Sequence, residues 1–194
     1  MVRVELDENL AKGVYWASFL TANIHHVNIE PRIVERYERL LMAGVWSNVL
    51  VENNYHLIEL GPRQTGKSFC STEFSPYGTL LAGGAVTVPK LFVSNTQPPR
   101  PGLIANRDIV GFDEIAGSSF DAEGDKNLYK NYMESGQINR GTITVSGDAG
   151  FVFNGNINYD PRRGLLAEHL FKSLPPSVSD DTAFHDRWAA YLPG

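Results

Sequence analysis

The sequence contains a single cysteine, Cys70, among its 194 residues. One thiol excludes an internal disulfide and a zinc site with several cysteine ligands. No apolar run approaches the ~20 residues that a membrane-spanning helix needs. Acidic residues lie where a signal peptide would need an apolar stretch, so we expect a cytoplasmic protein.

The sequence also lacks an excess of positive charge, because 17 basic residues stand against 22 acidic ones and the net charge is −5. That balance excludes a chain that is basic throughout and binds nucleic acid with its whole surface, although it allows a local basic patch. Hydrophobic residues at 42% and charged residues at 20% are ordinary for globular proteins, which excludes a disordered or fibrous chain.

Hydrophobic periodicity predicts two parts, an N-terminal α+β segment over residues 1–50 and an α/β core over residues 51–194. In the first part, helical spacing predicts a helix over residues 31–42 that Gly44 ends. In the second, strands alternate with helices, which indicates a mostly parallel sheet covered on both faces. Strands or hairpin arms are predicted at 57–60, 79–81, 109–112, 142–145 and 151–153, and helices at 67–74, 86–93, 127–134, 164–172 and 183–191.

A glycine-rich turn between the first core strand and its helix fits the pattern G-x-x-x-x-G-K-[ST]. Its residues are Gly61, Pro62, Arg63, Gln64, Thr65, Gly66, Lys67 and Ser68. Such a loop binds phosphate because its backbone N–H groups point inward and the following helix adds its positive end. Lys67 is predicted to reach the β- and γ-phosphates of ATP, and Ser68 to ligate Mg²⁺. The competing interpretation is a glycine-bearing turn that matches by chance.

A second motif supports the phosphate loop. The apolar segment 109–112 ends in Asp113 and Glu114, 46 and 47 residues beyond Lys67. Asp113 is predicted to hold Mg²⁺ together with Ser68, and Glu114 to orient and activate the attacking water. Many strands end in acidic residues, so this motif indicates a nucleotide site only in combination with the phosphate loop.

Polar residues elsewhere complete the predicted site. Asn156, with Asn154 as the second choice, follows a buried strand and is a candidate sensor of the γ-phosphate, although Asn-Gly-Asn is also a common turn. Arg187 is the candidate arginine that a neighbouring subunit supplies, and a surface arginine paired with Asp186 or another acid is the competing interpretation. Arg140, Arg162 and Arg163 are rival arginines, and Arg140 lies in a predicted hairpin that could contact nucleic-acid phosphates.

These residues resemble AAA+ ATPases and, more narrowly, the BrxL-like family, the Lon-like proteins of BREX phage-defence systems. The resemblance covers roughly residues 50–194. The segments that carry it are LVENNYHLIELGPRQTGKSF, EFSPYGTLLAGGAVTVPKLFV, DIVGFDEIAG, KNYMESGQINRG and DDTAFHDRWAAYLPG. It implies an α/β AAA+-type P-loop core with a mostly parallel five-stranded sheet, ATP hydrolysis, assembly into a hexamer or larger ring, and action on DNA. By the same resemblance Asn156 matches the first sensor, and Arg187 lies in the segment of the arginine finger.

The sequence also departs from the family pattern. Gln64 stands where the family often has glycine, which predicts strain in the loop or an altered nucleotide affinity. We expect neither a helical lid nor a Lon-like Ser-Lys protease dyad in this chain. The first functional hypothesis is therefore the ATP-hydrolysing module of a ring that acts on DNA, with other BREX components as candidate partners. The alternative is a non-catalytic nucleotide-binding or interaction module from a reduced family member.

Overall fold

A five-stranded sheet forms the centre of the fold. The computed structural model describes residues 43–82, 86–94, 96–115, 123–157, 171 and 174–193. The strands are β1 (Leu57–Gly61), β2 (Gly78–Leu81), β3 (Ile109–Phe112), β4 (Gln137–Arg140), β5 (Ile143–Ser146), β6 (Gly150–Asn156) and β7 (Ala190–Pro193). The sheet has the order β2-β3-β6-β1-β7 and every pairing in it is parallel, while β4 and β5 form a separate antiparallel hairpin.

Helices lie on both faces of the sheet. They are α1 (residues 43–51), α2 (Lys67–Glu73), α3 (Val88–Leu91), α4 (Glu123–Ser135), α5 (Pro176–Ser179) and α6 (Thr182–His185), with a 3-10 turn at Leu103–Ala105. This arrangement confirms the predicted α/β AAA+-type P-loop core with a parallel five-stranded sheet. Within the described ranges, no helix is long and apolar enough to cross a membrane.

The two faces of the sheet carry different side chains, since successive residues of a strand point in opposite directions. The aromatic face consists of Ile58, Leu60, Val110, Phe112, Phe151 and Phe153, and α3 and α4 pack on it. The P-loop face consists of Leu57, Glu59, Ile109, Gly111, Val152 and Asn154. Trp46 and Val49 of α1 are buried against the P-loop face, and Cys70 of α2 packs there too.

Gly111 lets α2 approach the P-loop face closely. A Cβ at this position would lie only 2.8 Å from the Cβ of Ser71 on α2. Glycine is the residue that allows such an approach between a strand and a helix. Because α2 follows the glycine-rich loop, this contact also fixes where the loop lies relative to β3.

Several predicted elements need correction. The helix predicted over 183–191 is wrong, because the chain forms the short helix α6 and then strand β7. Pairing of β7 with β1, which buries Tyr191 and Leu192 on opposite faces, outweighs the local helix propensity of this segment. Gly44 does not end a helix, since α1 includes it and packs Trp46 and Val49 on the sheet.

Other boundaries moved by a few residues. The helix predicted over 86–93 shortens to α3, with Pro89 in its first turn, where proline is tolerated. The helix predicted over 127–134 extends to all of α4. The predictions for residues 1–42 and for the helix over 164–172 lie outside the described residues, and the division of the chain at residue 50 stays a prediction.

Candidate phosphate-binding site

The glycine-rich loop joins β1 to α2, as the sequence predicts. Residues 62–66 are exposed, and α2 begins at Lys67 after Gly66, whose φ is 89°. Within the described part of the chain, the backbone N–H groups of residues 63–68 donate to no other group. A row of unpartnered N–H groups at the start of a helix is the arrangement that binds phosphate in P-loops.

Gln64 lies in the left-handed region of backbone conformations, with a φ of 66°. Only glycine adopts this region without a steric cost, and other residues lose about 1 kcal/mol or more there. The predicted strain at Gln64 therefore has a structural basis, because a residue other than glycine adopts this conformation here.

Lys67 bends back over the loop. Its Nζ atom donates to the carbonyl oxygens of Gly61 at 3.2 Å and Pro62 at 2.5 Å, and to Thr65 Oγ1 at 3.1 Å. Burial lowers the pKa of Lys67, while the negative charges of Glu59 and Asp113 act in the opposite direction. The ammonium group is thus held by the last residue of β1, Gly61, and by the loop residues Pro62 and Thr65.

Ser68 and Asp113 come together although 45 residues separate them. The Ser68 hydroxyl donates to Asp113 Oδ1 at 3.1 Å. A hydroxyl and a carboxylate oxygen at this separation are the oxygen donors that Mg²⁺ accepts, usually together with water and phosphate oxygens. Ser68 and Asp113 therefore fit the predicted metal position, although no group of three or more His, Cys, Asp or Glu side chains that could hold a metal ion is found in the described ranges.

Glu114 and the two asparagines lie at the same edge of the sheet. Glu114 is exposed in the turn after β3, with a φ of 57°. Asn156 is half-buried and in register with Gly61 at the base of the loop, whereas Asn154 is 1% exposed and in register with Glu59. Asn156 is thus the asparagine next to the loop, and Asn154 lies beneath it.

Arg187 contacts a different part of the fold. Its guanidinium donates to the Lys130 carbonyl at 2.8 Å, to the Ala183 carbonyl, and to Glu134 Oε2 at 2.5 Å. These partners belong to α4 and α6, so within this chain Arg187 is held apart from the loop. Arg140 donates through Nη1 to the Val93 carbonyl at 2.7 Å, and Arg162 and Arg163 lie outside the described residues.

Sequence reasoning missed Glu59, which is 5% exposed on the P-loop face. Trp46 Nε1 donates to its Oε2 at 3.1 Å, and burial raises the pKa of Glu59 to about 7. The available signal was a lone acid between Ile58 and Leu60 in a strand that otherwise reads as fully buried.

His56 is a second buried polar residue that sequence reasoning missed, since it is 1% exposed. Its Nδ1 accepts from the Phe151 N–H at 2.9 Å, and its ring packs against Phe151 and Tyr132. Burial lowers the pKa of His56 to about 3, so the ring is neutral at physiological pH.

Comparison with known proteins agrees with this geometry. The family model described as "Lon-like protease BrxL-like, ATPase domain" matches residues 14–194. The protein named Lon-like protease BrxL from Escherichia coli O9:H4 (strain HS) is 44% identical over 144 residues, which is 74% of this chain and 20% of that protein. The protein of the same name from Bacillus cereus (strain H3081.97) is 45% identical over 145 residues, which is 75% of this chain and 21% of that protein.

The chain spans about a fifth of the length of these two relatives, and the matched family is that of the ATPase domain. The resemblance drawn from the sequence motifs is therefore confirmed, and the chain belongs to the family of BrxL-like ATPase domains.

Proposed function

We propose that this chain is the ATP-binding and ATP-hydrolysing module of a ring-forming AAA+ protein that acts on DNA in BREX phage defence. The observation that carries the proposal is the loop over residues 63–68, whose backbone N–H groups have no bonding partner in the described part of the chain and whose residues hold the Lys67 ammonium group. Membership of an ATPase-domain family supports it independently.

The side chains at the loop have different proposed roles in ATP hydrolysis. Lys67 and the loop N–H groups bind the phosphates, and Ser68 and Asp113 hold Mg²⁺, which when bound neutralises developing phosphate charge. The exposed Glu114 carboxylate accepts a proton from the attacking water. Asn156, beside Gly61, orients that water through its side-chain amide.

Arg187 is proposed to act in a neighbouring subunit. Its position on the segment after α6, away from its own loop, suits an arginine that completes a site across a ring interface. It must then exchange the Glu134 carboxylate for a phosphate oxygen, and this exchange is feasible because Glu134 is largely exposed and the pair is accessible to solvent.

The proposed action on DNA depends on the assembly of several chains into a ring. A net charge of −5 requires that DNA contacts come from local cations or from other parts of the assembly. The β4–β5 hairpin is a candidate surface, since Arg140 is only half-buried and keeps guanidinium N–H groups beyond the one bound to Val93. The affinity for duplex DNA should fall steeply as the salt concentration rises, and Arg140→Ala should make this dependence shallower. An unchanged salt dependence in Arg140→Ala would contradict DNA contact at the hairpin.

The test of hydrolysis in trans is a mixing experiment. Lys67→Ala removes phosphate binding but leaves Arg187, and Arg187→Ala does the reverse. Each alone should be inactive, and their mixture should regain part of the ATP turnover, which should also rise with protein concentration. Arg100→Ala, at an exposed arginine, is the control and should turn over like the unmodified chain.

A second candidate function is a non-catalytic nucleotide-binding or interaction module. The strained backbone at Gln64 favours it, because strain in the loop lowers nucleotide affinity unless binding relieves it. Absence of turnover at every concentration and in every mixture would contradict the ATPase proposal and favour this module.

A further inference from the structure

Glu59 is a buried acid directly beneath the phosphate loop. It lies in the middle of β1, in register with Asn154 of β6 on one side and Leu192 of β7 on the other. Its flanking residues Ile58 and Leu60 are fully buried. Burying a carboxylate costs free energy unless charges and hydrogen bonds compensate it, so its partners indicate what it does.

The hydrogen bonds and charges around Glu59 compensate only part of the free-energy cost of burying its carboxylate. Trp46 Nε1 supplies one neutral hydrogen bond at 3.1 Å, and no ion pair to Glu59 is present among the described residues. Asn154, its neighbour in register, has both amide atoms buried and without a partner in the described part of the chain.

Lys67 is a buried cation close to this carboxylate along β1, because its Nζ donates to the carbonyl of Gly61, two residues beyond Glu59. Each of the two charges favours the charged form of the other. Of the other titratable groups on this face, Cys70 on α2 also responds to the charge of Glu59, and Asp113 after β3 acts on Lys67. From α1, Trp46 bonds Glu59, and its register partners on β6 and β7 are Asn154 and Leu192; all three are uncharged.

The geometry points to Glu59 as a positioning residue of the phosphate loop, which acts through Lys67 and draws its ammonium group toward the base of the loop when ionised. Lys67 already bonds the carbonyls of Gly61, the last residue of β1, and Pro62, the first residue after it. When Glu59 is neutral, this attraction is absent and the lysine is freer to bind phosphate. This inference rests on the proposed nucleotide site.

A consequence is that nucleotide binding takes up a proton at Glu59. Phosphate charge near the loop disfavours the ionised carboxylate, so the pKa of Glu59, about 7 in the free protein, rises on binding. A group whose pKa is higher in the complex strengthens binding below its free pKa, and that contribution disappears as pH rises through the bound pKa. Affinity should therefore be highest below pH 7 and fall above it.

The test compares Mg²⁺-ATP binding by the full 194-residue chain and by Glu59→Gln, using calorimetry at about pH 6 and about pH 8 in two buffers. Glutamine keeps an acceptor for Trp46 but has no charge. The unmodified chain should lose up to about tenfold in affinity toward the higher pH and take up a proton. Glu59→Gln should lose less affinity, bind more tightly than the unmodified chain at the higher pH, and show less proton uptake.

Titration of ATP itself is common to both proteins, so it cancels in this comparison. Parallel pH profiles with equal proton uptake would overturn the inference. A second variant keeps the inference testable if Glu59→Gln does not fold. Trp46→Phe removes the hydrogen bond that favours the ionised carboxylate, and it should move the midpoint of the affinity profile to higher pH. An unmoved midpoint would overturn the inference too.

Lys67→Ala separates this inference from the function on which it rests. If Lys67→Ala binds ATP like the unmodified chain, the proposed nucleotide site itself fails. If Lys67→Ala loses binding while Glu59→Gln keeps the wild-type pH profile, only the role of Glu59 fails.

Discussion

The two faces of the central sheet differ in what they bury. Strand β6 contributes to both, since Phe151 and Phe153 lie on the aromatic face and Asn154 on the P-loop face. On the aromatic face, rings pack against one another, and Phe112 and Phe153 stack with centroids 4.9 Å apart. The P-loop face also has a smaller apolar cluster, but it buries Glu59, Asn154 and Lys67 beside it. Apolar burial on one face thus supplies stability that lets the other carry polar groups beside the loop.

The largest predicted effect comes from a pair of neighbouring substitutions in β6. Phe153→Ala should lower the free energy of unfolding by about 3–5 kcal/mol, because it removes a fully buried ring. Asn154→Ala should change it by less than about 1 kcal/mol, because the buried amide that it removes has no partner among the described residues. Urea unfolding of both variants measures the difference, and equal losses would contradict the division between the faces.

Acid should lower the free energy of unfolding through His56, which packs against the aromatic face. The pKa of His56 is lowered to about 3 in the folded protein, so its contribution to stability is present above 6.5, the ordinary value, and is lost as pH falls below it. Between pH 6.5 and about 4.5 the loss attributable to this ring should be roughly 2–3 kcal/mol.

The control for this effect is His56→Asn, which keeps a side-chain acceptor for the Phe151 N–H. Carboxylates elsewhere in the chain titrate in both proteins, so the difference between their pH slopes isolates the histidine. Unfolding free energies that fall equally with acid in the two proteins would show that His56 does not titrate as a buried neutral ring.

Glu59 on the P-loop face should make the free energy of unfolding depend on pH in the opposite direction. The pKa of Glu59 is raised from 4.5 to about 7, so its contribution to stability is fully present below 4.5 and is lost as pH rises through 7. Glu59→Gln should therefore be more stable than the unmodified chain at about pH 8, by roughly 2 kcal/mol, and the difference should shrink toward about pH 5. Thermal or urea unfolding at both pH values provides the measurement, and a pH-independent difference would contradict it.

The smallest effect should come from the loop itself. Gln64→Gly relieves a φ of 66° and should stabilise the fold by about 1 kcal/mol or less, since glycine also loses more chain entropy on folding. Gln64→Ala is the matched control, because alanine shares the conformational restriction and should bring no gain. Equal stabilities of the glycine and alanine variants would show that the loop is unstrained at this position.

The sequence predicted the position of the glycine-rich loop better than it predicted the edge strand β7. Mostly apolar runs marked β1, β3 and β6, and the loop between β1 and α2 fits a pattern that is rare by chance. Strand β7 was missed because local helix propensity says nothing about the parallel partner that β1 provides. Glu59 was missed because its role depends on Trp46 and Lys67, which come next to it only in the folded chain.

The central claim is that the loop around Lys67 binds nucleotide phosphate, and calorimetric titration of Mg²⁺-ATP tests it most directly. Lys67→Ala should bind about 10–100-fold more weakly than the unmodified chain, because it loses a charge-assisted contact to phosphate. Lys90→Ala, an exposed lysine on α3, is the matched control and should bind like the unmodified chain. Equal affinities of Lys67→Ala and the unmodified chain would contradict the assignment of this loop as the nucleotide site.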